Sequence, residues 1–598
     1  MSGERAIIRR LSALREEMRR ENLDAYILFG TDPHMSEYAA PRWCDRQWIS
    51  GFSGSAGTVV VTADSAGLWT DSRYHLQASL QLKGTGIELF KEGLSGVPGL
   101  AEWLGGTLPT ASVVGASGWT LSLTRQRSLK SQLGVYGILF RPAEDLLDRI
   151  WTDRPSLPSQ DIYQHDKKYA GLSRADKIEA VREALGKRNA DYQFIASLSD
   201  IAWLFNLRGS DIAYNPLFIS YALIGRKDVY LALQREALSD ELASLLEEEG
   251  IILLEYGAVE DLLQEVPDKD SRLVFDPDTV NSTLADIIIG TCFPVEQADV
   301  TSSLKAVKNN VEIAGIHSAM VKDGVAMVQF LHWLSTSRDH ANLTELSLGE
   351  TLRQFRSRQA GFIGESFNPI IGFRDHGAVI HYSADEESAY PIDQAGMLLI
   401  DSGAHYLDGT TDITRTIILG EATPQQREDY TTVLKGHIEL ARARFPEGTR
   451  GFQLDTLARR PCWERGMQYS HGTGHGVGFF LNVHEGPQSI STRLIDVVIQ
   501  AGMLCSNEPG IYREGQYGIR IENLIIAKEL FATPFGTFYG FETVTLCPLE
   551  PKLIEARLLS PEQRQWVNEY HAGVFSALSP HLNQEERQWL KEVCKPLS

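Results

Sequence analysis

Lysine and arginine gather into no basic block anywhere in this chain, and acidic residues outnumber basic ones, 78 against 57, for a formal charge of −21. Polyanionic surfaces are bound through basic faces, so neither nucleic acid nor a membrane is expected as a partner. Cysteine is scarce. The six present, Cys44, Cys292, Cys462, Cys505, Cys547 and Cys594, are scattered with no Cys-x-x-Cys spacing. That excludes zinc knuckles and dithiol redox pairs and leaves reduced, mostly buried thiols. The charged opening (Glu4, Arg5, Arg9, Arg10, Arg15, Glu16, Glu17) lacks the apolar core of a signal peptide, and no apolar run is long enough to span a membrane. A cytoplasmic location is the expectation.

What is present describes a folded protein of several domains. Hydrophobic residues make up 43% and charged residues 23% of 598 positions, ordinary fractions for a globular chain whose length exceeds what one core organises. Ile8, Leu11, Leu14 and Met18 fall at helical spacing ahead of the apolar strand Ala25 to Phe29. A similar passage begins near residue 174, with a charged helix Ala175 to Leu185, a strand Asp191 to Ala196, the Trp203 segment Asp200 to Asn206 and a Gly209-Ser210 turn. Its counterparts are Trp48 to Phe52, Thr58 to Val61 and Leu68 to Thr70. The shared order predicts two related α/β units, linked by the Pro- and Ser-containing stretch Pro155 to Gln160. A third unit is expected from about residue 307, opening on a long amphipathic helix from Lys308 to Trp333 broken at Gly324. The expected domains are 1–160, 161–306 and 307–598, with helical packing between Leu553 and Leu590 at the end.

Chemistry gathers in that last unit. Two segments resemble each other, Gly396 to Gly403 containing Asp401 and Gly502 to Gly510 containing Glu508. Each precedes a strand with a second carboxylate, Asp412 in Thr411 to Ile418 and Glu522 in Ile519 to Ile526. Alternate side chains of a strand share a face, which groups Asp412 with Thr414, and Glu522 with Arg520 and Leu524. Two hairpins presenting one carboxylate per strand predict pseudo-symmetry about a common centre. An unpaired carboxylate in an apolar strand costs several kcal/mol unless a cation or donors neutralise it. His475 lies in His471-Gly472-Thr473-Gly474-His475-Gly476-Val477-Gly478. This is no phosphate loop, since Val477 takes the last glycine position of G-x-G-x-x-G and no Lys-Ser/Thr follows; its glycines let the backbone run close to a site. Four carboxylates and one imidazole suit two hard divalent cations of the Mn²⁺ type better than one zinc, because carboxylates can bridge. Hydrolysis is the chemistry such a centre points to. His484, before Glu485-Gly486-Pro487, and His381, in His376 to Tyr382, add imidazoles to the same region.

In order and spacing, Asp401, Asp412, His475, Glu508 and Glu522, with His381 and His484, resemble the pita-bread metallopeptidases, the group holding methionine aminopeptidase, prolidase and aminopeptidase P. Within it the chain is most similar to the cytosolic aminopeptidase P type. The specific motifs are His471 to Gly476, Asn507-Glu508-Pro509-Gly510, Gly518 to Asn523 and Phe541-Glu542-Thr543, and the likeness runs over nearly the whole chain. It implies two creatinase-like N-terminal α/β domains before a pita-bread catalytic domain, a homodimer, and a substrate peptide with proline second. It further implies that Asp401 chelates one metal, Asp412 and Glu522 bridge the pair, and His475 and Glu508 complete the coordination of the second metal. A shared hydroxide between cations roughly 3.5 to 4 Å apart would be the nucleophile and Glu508 the general base. By the same likeness His381 and His484 bind substrate around the scissile carbonyl, His471 supports that wall of the pocket, and the substrate amine docks against a metal and Asp401. Arg73, in Thr70-Asp71-Ser72-Arg73-Tyr74, matches a substrate-contacting arginine that reaches the site in cis or from a partner subunit; an ordinary salt bridge is its other reading. The cluster Trp48 to Gly57 reads as a tight strand connection or as a loop near the cleft.

Three alternatives share parts of this pattern. A prolidase uses the same ligands but would have to bind the free carboxylate of an X-Pro dipeptide, and the two units before residue 307 favour the aminopeptidase. A methionine aminopeptidase needs no such double prefix. A binding module that keeps the fold without chemistry is disfavoured by the intact ligand set.

Overall fold

The computed structural model describes residues 2–336, 343–392 and 395–597. Short runs rich in β-branched and aliphatic residues, closed by Gly, Asp and Ser turns, become strands here. In the first sheet β1 (Ala25–Leu28), β2 (Thr58–Thr62), β3 (Ala66–Thr70), β4 (Glu88–Lys91), β5 (Val113–Ser117) and β6 (Leu139–Ala143) lie in the order β4-β3-β2-β1-β5-β6. In the second, β7 (Tyr192–Ile195), β8 (Ser220–Gly225), β9 (Val229–Leu233), β10 (Ile251–Glu255), β11 (Arg272–Phe275) and β12 (Phe293–Glu296) lie in the order β10-β9-β8-β7-β11-β12. The orders correspond strand for strand. So do the pairings: β1 to β2 and β2 to β3 are antiparallel, as are β7 to β8 and β8 to β9, while the remaining pairs are parallel. The sequence repeat is thus one topology used twice.

Both sheets belong to one compact unit, Met1–Gln164 with Leu172–Thr301. The aromatic and glycine-rich segment near Trp48 is a helix, Asp45–Ser50, followed by a loop that wraps Arg46, whose guanidinium donates to the carbonyls of Gly54 and Gly57.

The second compact unit is Ser302–Ser598 with His165–Gly171. It starts a few residues before the expected position 307 and recruits an earlier segment, to which Asn309 donates a hydrogen bond at Ala170 O. Its long helix, Asn310–Thr336, is not broken at Gly324. A Cβ at Gly324 would stand 2.3 Å from Leu546 O, so this glycine permits a close approach and does not end the helix.

Three antiparallel strands follow, with β14 (Gly396–Ser402) between β13 (Ile370–Phe373) and β15 (Ile413–Leu419). Then come β16 (Arg444–Pro446), β17 (Gly474–Gly476), β18 (Glu485–Ile490), β19 (Leu504–Asn507), β20 (Gly510–Arg513), β21 (Tyr517–Arg520), β22 (Asn523–Thr533) and β23 (Gly536–Thr543). Of these, β20 pairs with β21, and a six-stranded sheet has the order β16-β23-β22-β19-β17-β18. Helix Pro424–Ala441 buries Tyr430, Val433, Leu434 and Ile438 against Ile519 and Ile521. The segment beyond Leu553 is helical, over Pro561–Leu578 and Gln584–Val593.

Candidate metal centre

Each expected hairpin forms, but the second carboxylate of each lies at a strand end and not within a strand. β14 and β15 set Asp401 opposite Thr414, with Asp412 one residue before β15 begins. β19 and β22 pair Asn507 with Asn523, so Glu508, just after β19, and Glu522, just before β22, leave the same end of that ladder. The strand expected over Ile519 to Ile526 is interrupted at Ile521 and Glu522, because Arg520 ends the pairing with β20 and Asn523 starts the pairing with β19. At the interruption Glu522 N donates to Thr414 O at 3.1 Å, and Thr414 Oγ1 donates to Glu522 Oε2 at 2.8 Å. Those two bonds stitch the hairpins together. Leu524, expected beside Glu522, lies instead in an apolar cluster with Ile316 and Val477.

Asp412, His475 and Glu522 each bring a ligand atom within 4.8 Å of the others. His475 Nε2 stands 3.5 Å from both Asp412 Oδ2 and Glu508 Oε1. Its Nδ1 donates to Gly476 O at 3.0 Å, which leaves Nε2 facing the carboxylates. The flanking glycines are steric necessities: a Cβ at Gly474 would lie 2.0 Å from Ser506 O, and one at Gly476 2.1 Å from Glu485 O.

The electrostatics call for positive charge. Burial, then the neighbouring carboxylates, raises Glu522 well above the ordinary glutamate range. Burial likewise raises Asp401 and Glu508, with Arg520 opposing in both and His475 opposing in Glu508. Burial alone would lower His475, but Asp412 and Glu508 hold its proton up to about 9. Asp401 Oδ1 and Glu522 Oε1 are buried without a hydrogen-bond partner. Orphaned carboxylate oxygens beside an imidazole whose Nε2 faces them make an oxygen-rich donor set fit for hard divalent cations, which would displace these protons.

Of the other expected residues, His484 lies edge to face with His475 at 4.4 Å between centroids. His381 is half-buried on a loop gathered by the buried carboxylate of Glu345, which accepts from Phe373 N, Tyr390 N and Tyr382 OH and meets His376 Nδ1. His471 uses both ring nitrogens: Nδ1 donates to Gly472 O at 2.7 Å, and Nε2 accepts from Tyr512 OH at 2.8 Å. Arg73 belongs to the first compact unit, where it forms a two-pronged pair with Asp71 at 2.7 and 2.8 Å.

Sequence reasoning passed over Tyr512 and His437, and gave Arg520 no role beyond sharing a strand face with Glu522, although all three organise this centre. Arg520, 2% exposed, donates to Asp401 Oδ2 at 2.5 Å, to Tyr512 OH at 2.6 Å and to Thr414 Oγ1 at 3.2 Å. Tyr512 hands the bond on to His471, its own pKa pushed to about 12 by burial despite Arg520. His437, on helix Pro424–Ala441, accepts from Asn523 Nδ2 and donates to Asn507 O, both at 3.1 Å, so one neutral ring ties the residues next to Glu508 and Glu522. Burial, then Arg415, lowers it to about 3. A buried arginine two residues from a buried glutamate was the available signal for Arg520; nothing local marks His437.

Residues 314–529 match metallopeptidase family M24 and 537–597 the C-terminal region of that family, while 10–150 and 153–312 each match a creatinase/prolidase N-terminal domain. A Coprinopsis cinerea protein named "Probable Xaa-Pro aminopeptidase P" is 39% identical over 98% of both chains. The Arabidopsis thaliana protein named "Aminopeptidase P2" is 38% identical over 96% of this chain and 86% of its own. The solved X-prolyl aminopeptidase of Caenorhabditis elegans, described as a cytosolic enzyme with a di-nuclear active site, superposes with a TM-score of 0.94 at 34% identity, covering 99% of this chain and 100% of that one. The Bacillus anthracis Xaa-Pro dipeptidase covers 63% of this chain at a TM-score of 0.50 and 25% identity. No helix among the described residues is long and apolar enough to cross a membrane. From its sheets, its buried carboxylate centre and these likenesses, the chain belongs to metallopeptidase family M24 and, within it, to the Xaa-Pro aminopeptidase P proteins.

Proposed function

We propose that this protein hydrolyses the first peptide bond of peptides whose second residue is proline, at a centre of two divalent cations, with Mn²⁺ as the ion. The observation that carries the reading is the convergence of Asp412, His475 and Glu522 within 4.8 Å, with Asp401 Oδ1 and Glu522 Oε1 buried and unpartnered beside them. Asp401, Asp412, His475, Glu508 and Glu522 would hold the ions. When bound, two such ions polarise the scissile carbonyl and bring the pKa of a water near neutrality.

The chain's own groups do the rest. Glu508, steadied by Ser506 Oγ at 3.2 Å, takes the proton of the attacking water and returns it to the departing proline nitrogen. His381 and His484 donate to the carbonyl oxygen as negative charge develops on it. His471 acts from behind, through Tyr512, because its ring nitrogens are already engaged. Asp401 receives the substrate's free amine, which restricts cleavage to the first residue. The X-Pro bond has no N–H, so a pocket for the ring selects substrates other peptidases leave. Arg73 contacts substrate in this reading, the protein is a homodimer, and it resides in the cytoplasm, consistent with six free cysteines.

The test incubates metal-stripped protein plus Mn²⁺ with an X-Pro-Y tripeptide, an X-Pro dipeptide and a Met-Ala peptide. Preference for the tripeptide is expected, and Glu508→Ala should abolish it. Turnover of the dipeptide alone would make the protein a dipeptidase, and turnover of none would leave a peptide-binding module.

A further inference from the structure

The residue after His484 is a carboxylate in the protein interior. Glu485 is 4% exposed, and its Oε1 accepts from Lys308 Nζ at 2.7 Å, both side chains being 1% exposed. Lys305 Nζ stands 3.4 Å from Oε2, its side chain 5% exposed. Lys308 Nζ also donates to Lys305 O at 2.9 Å, closing the cluster on itself. The lysines sit on a braced segment: Lys308 N donates to Gly502 O, and Val307 bridges Met503 just before β19, the strand that ends at Glu508. At the other end, the backbone of Glu485 pairs with Gly476, next to His475.

Three charges held this deep are a poor route to stability. Replacing a buried ion pair by apolar side chains of similar volume is often neutral or stabilising, whereas such pairs can specify one conformation. Here the conformation is that of the neighbouring residue. His484 is the bend residue immediately before β18 begins at Glu485, so a carboxylate anchored inward at 485 fixes the backbone from which the His484 side chain departs. The ring of His484 does lie against His475, at 4.4 Å and 86°. Gly478 lets the loop close tightly beside this cluster, since a Cβ there would come within 2.7 Å of Leu481 Cβ, 2.8 Å of Asn482 O and 2.9 Å of Glu485 Oε2.

We propose that Lys305, Lys308 and Glu485 form a buried charge clamp that positions His484 over the metal centre, so that Glu485 and Lys308 are positioning residues acting through His484. The kinetic part rests on the function proposed above; the geometric part does not. Glu485→Gln keeps the size and shape of the side chain and removes its charge. Crystals of the manganese-loaded full chain should then show the His484 ring turned from His475 with two ions still bound, and kcat on an X-Pro-Y tripeptide should fall at least tenfold with KM changed less than threefold. Because the clamp works through the imidazole, the double variant His484→Ala/Glu485→Gln should be no slower than His484→Ala alone. Lys305→Met, which breaks the longer contact, should shift the ring and kcat in the same direction but less, and covers the case in which Glu485→Gln does not fold. An unmoved His484 ring in these variants, or a double variant slowed by the product of the two single effects, overturns the clamp. A wild-type protein inert toward X-Pro peptides would overturn the proposed function and leave the crystallographic arm to decide the clamp.

Discussion

Glu522→Gln should act with opposite sign on the metal-free and the metal-loaded protein. Glu522 and Asp412 bring ligand atoms within 4.8 Å of each other in a buried site. Two unit negative charges at that distance repel by about 3.5 kcal/mol at an effective dielectric constant of about 20. Proton uptake relieves part of this, and burial followed by the neighbouring carboxylates does raise Glu522 well above its ordinary range. A raised carboxylate pKa in the fold means that stability present below about pH 4.5 is lost as pH rises through the folded value. Metal-free wild type should therefore weaken from acid toward neutral pH. In Glu522→Gln the amide keeps an acceptor for Thr414 Oγ1, which now bonds Oε2 at 2.8 Å, and turns its NH₂ toward the carboxylates. Without metal at pH 8 the variant should be more stable by roughly 1 to 3 kcal/mol, a rise of about 2 to 6 °C in Tm at about 2 °C per kcal/mol for a unit of this size. With Mn²⁺ the order reverses, since the variant forfeits the stabilisation that comes from binding the folded state alone. Scanning calorimetry with and without chelator, with metal content measured by mass spectrometry, reads both. A metal-free variant that melts at or below metal-free wild type would refute the electrostatic account of this centre.

Arg520→Met removes the donor to Asp401 and Tyr512 and should weaken metal binding by about 10- to 100-fold, measured by competition with a chromogenic chelator; unchanged affinity would dismiss the role given to Arg520. Gly476→Ala places a Cβ 2.1 Å from Glu485 O, so an overpacking cost of about 1 to 3 kcal/mol and loss of bound metal are expected from denaturation and metal analysis together. His571 accepts from Leu549 N at 3.1 Å, and burial followed by Arg415 lowers it to about 4. A lowered histidine leaves stability intact above about pH 6.5 and loses it as pH falls toward the folded value, by up to about 1.4 kcal/mol per pH unit. Urea denaturation at pH 7.5, 6 and 5 should accordingly show a shallower acid slope for His571→Asn than for wild type, and parallel slopes would count against it.

Much of this was legible in the residues. Duplication of the N-terminal unit showed in the order of strands and Trp-containing segments, because each strand is a local apolar run with its own turn signals. The pairing of Asp401 with Asp412 and of Glu508 with Glu522 showed because carboxylates in apolar surroundings are conspicuous whatever their partners. The termination of strands at Asp412 and Glu522 was hidden, since it arises where two sheets compete for one backbone. Gly324 misled for a related reason: a glycine required by the approach of Leu546 O cannot be told locally from one that ends a helix.

Composition, periodicity and a few chemical preferences of carboxylate, imidazole and glycine were enough to indicate a duplicated α/β unit, a third unit and a hydrolytic metal centre, because these act over a few neighbouring positions; the fold of the third unit came from its resemblance to a known family. The tertiary structure alone decided that Arg520 grips Asp401, that His437 ties Asn507 to Asn523, and that Lys308 reaches Glu485 across 177 positions of sequence. Such partners carry no local signature. Their worth comes from burial, which makes an unpaired charge costly only once the chain has folded around it.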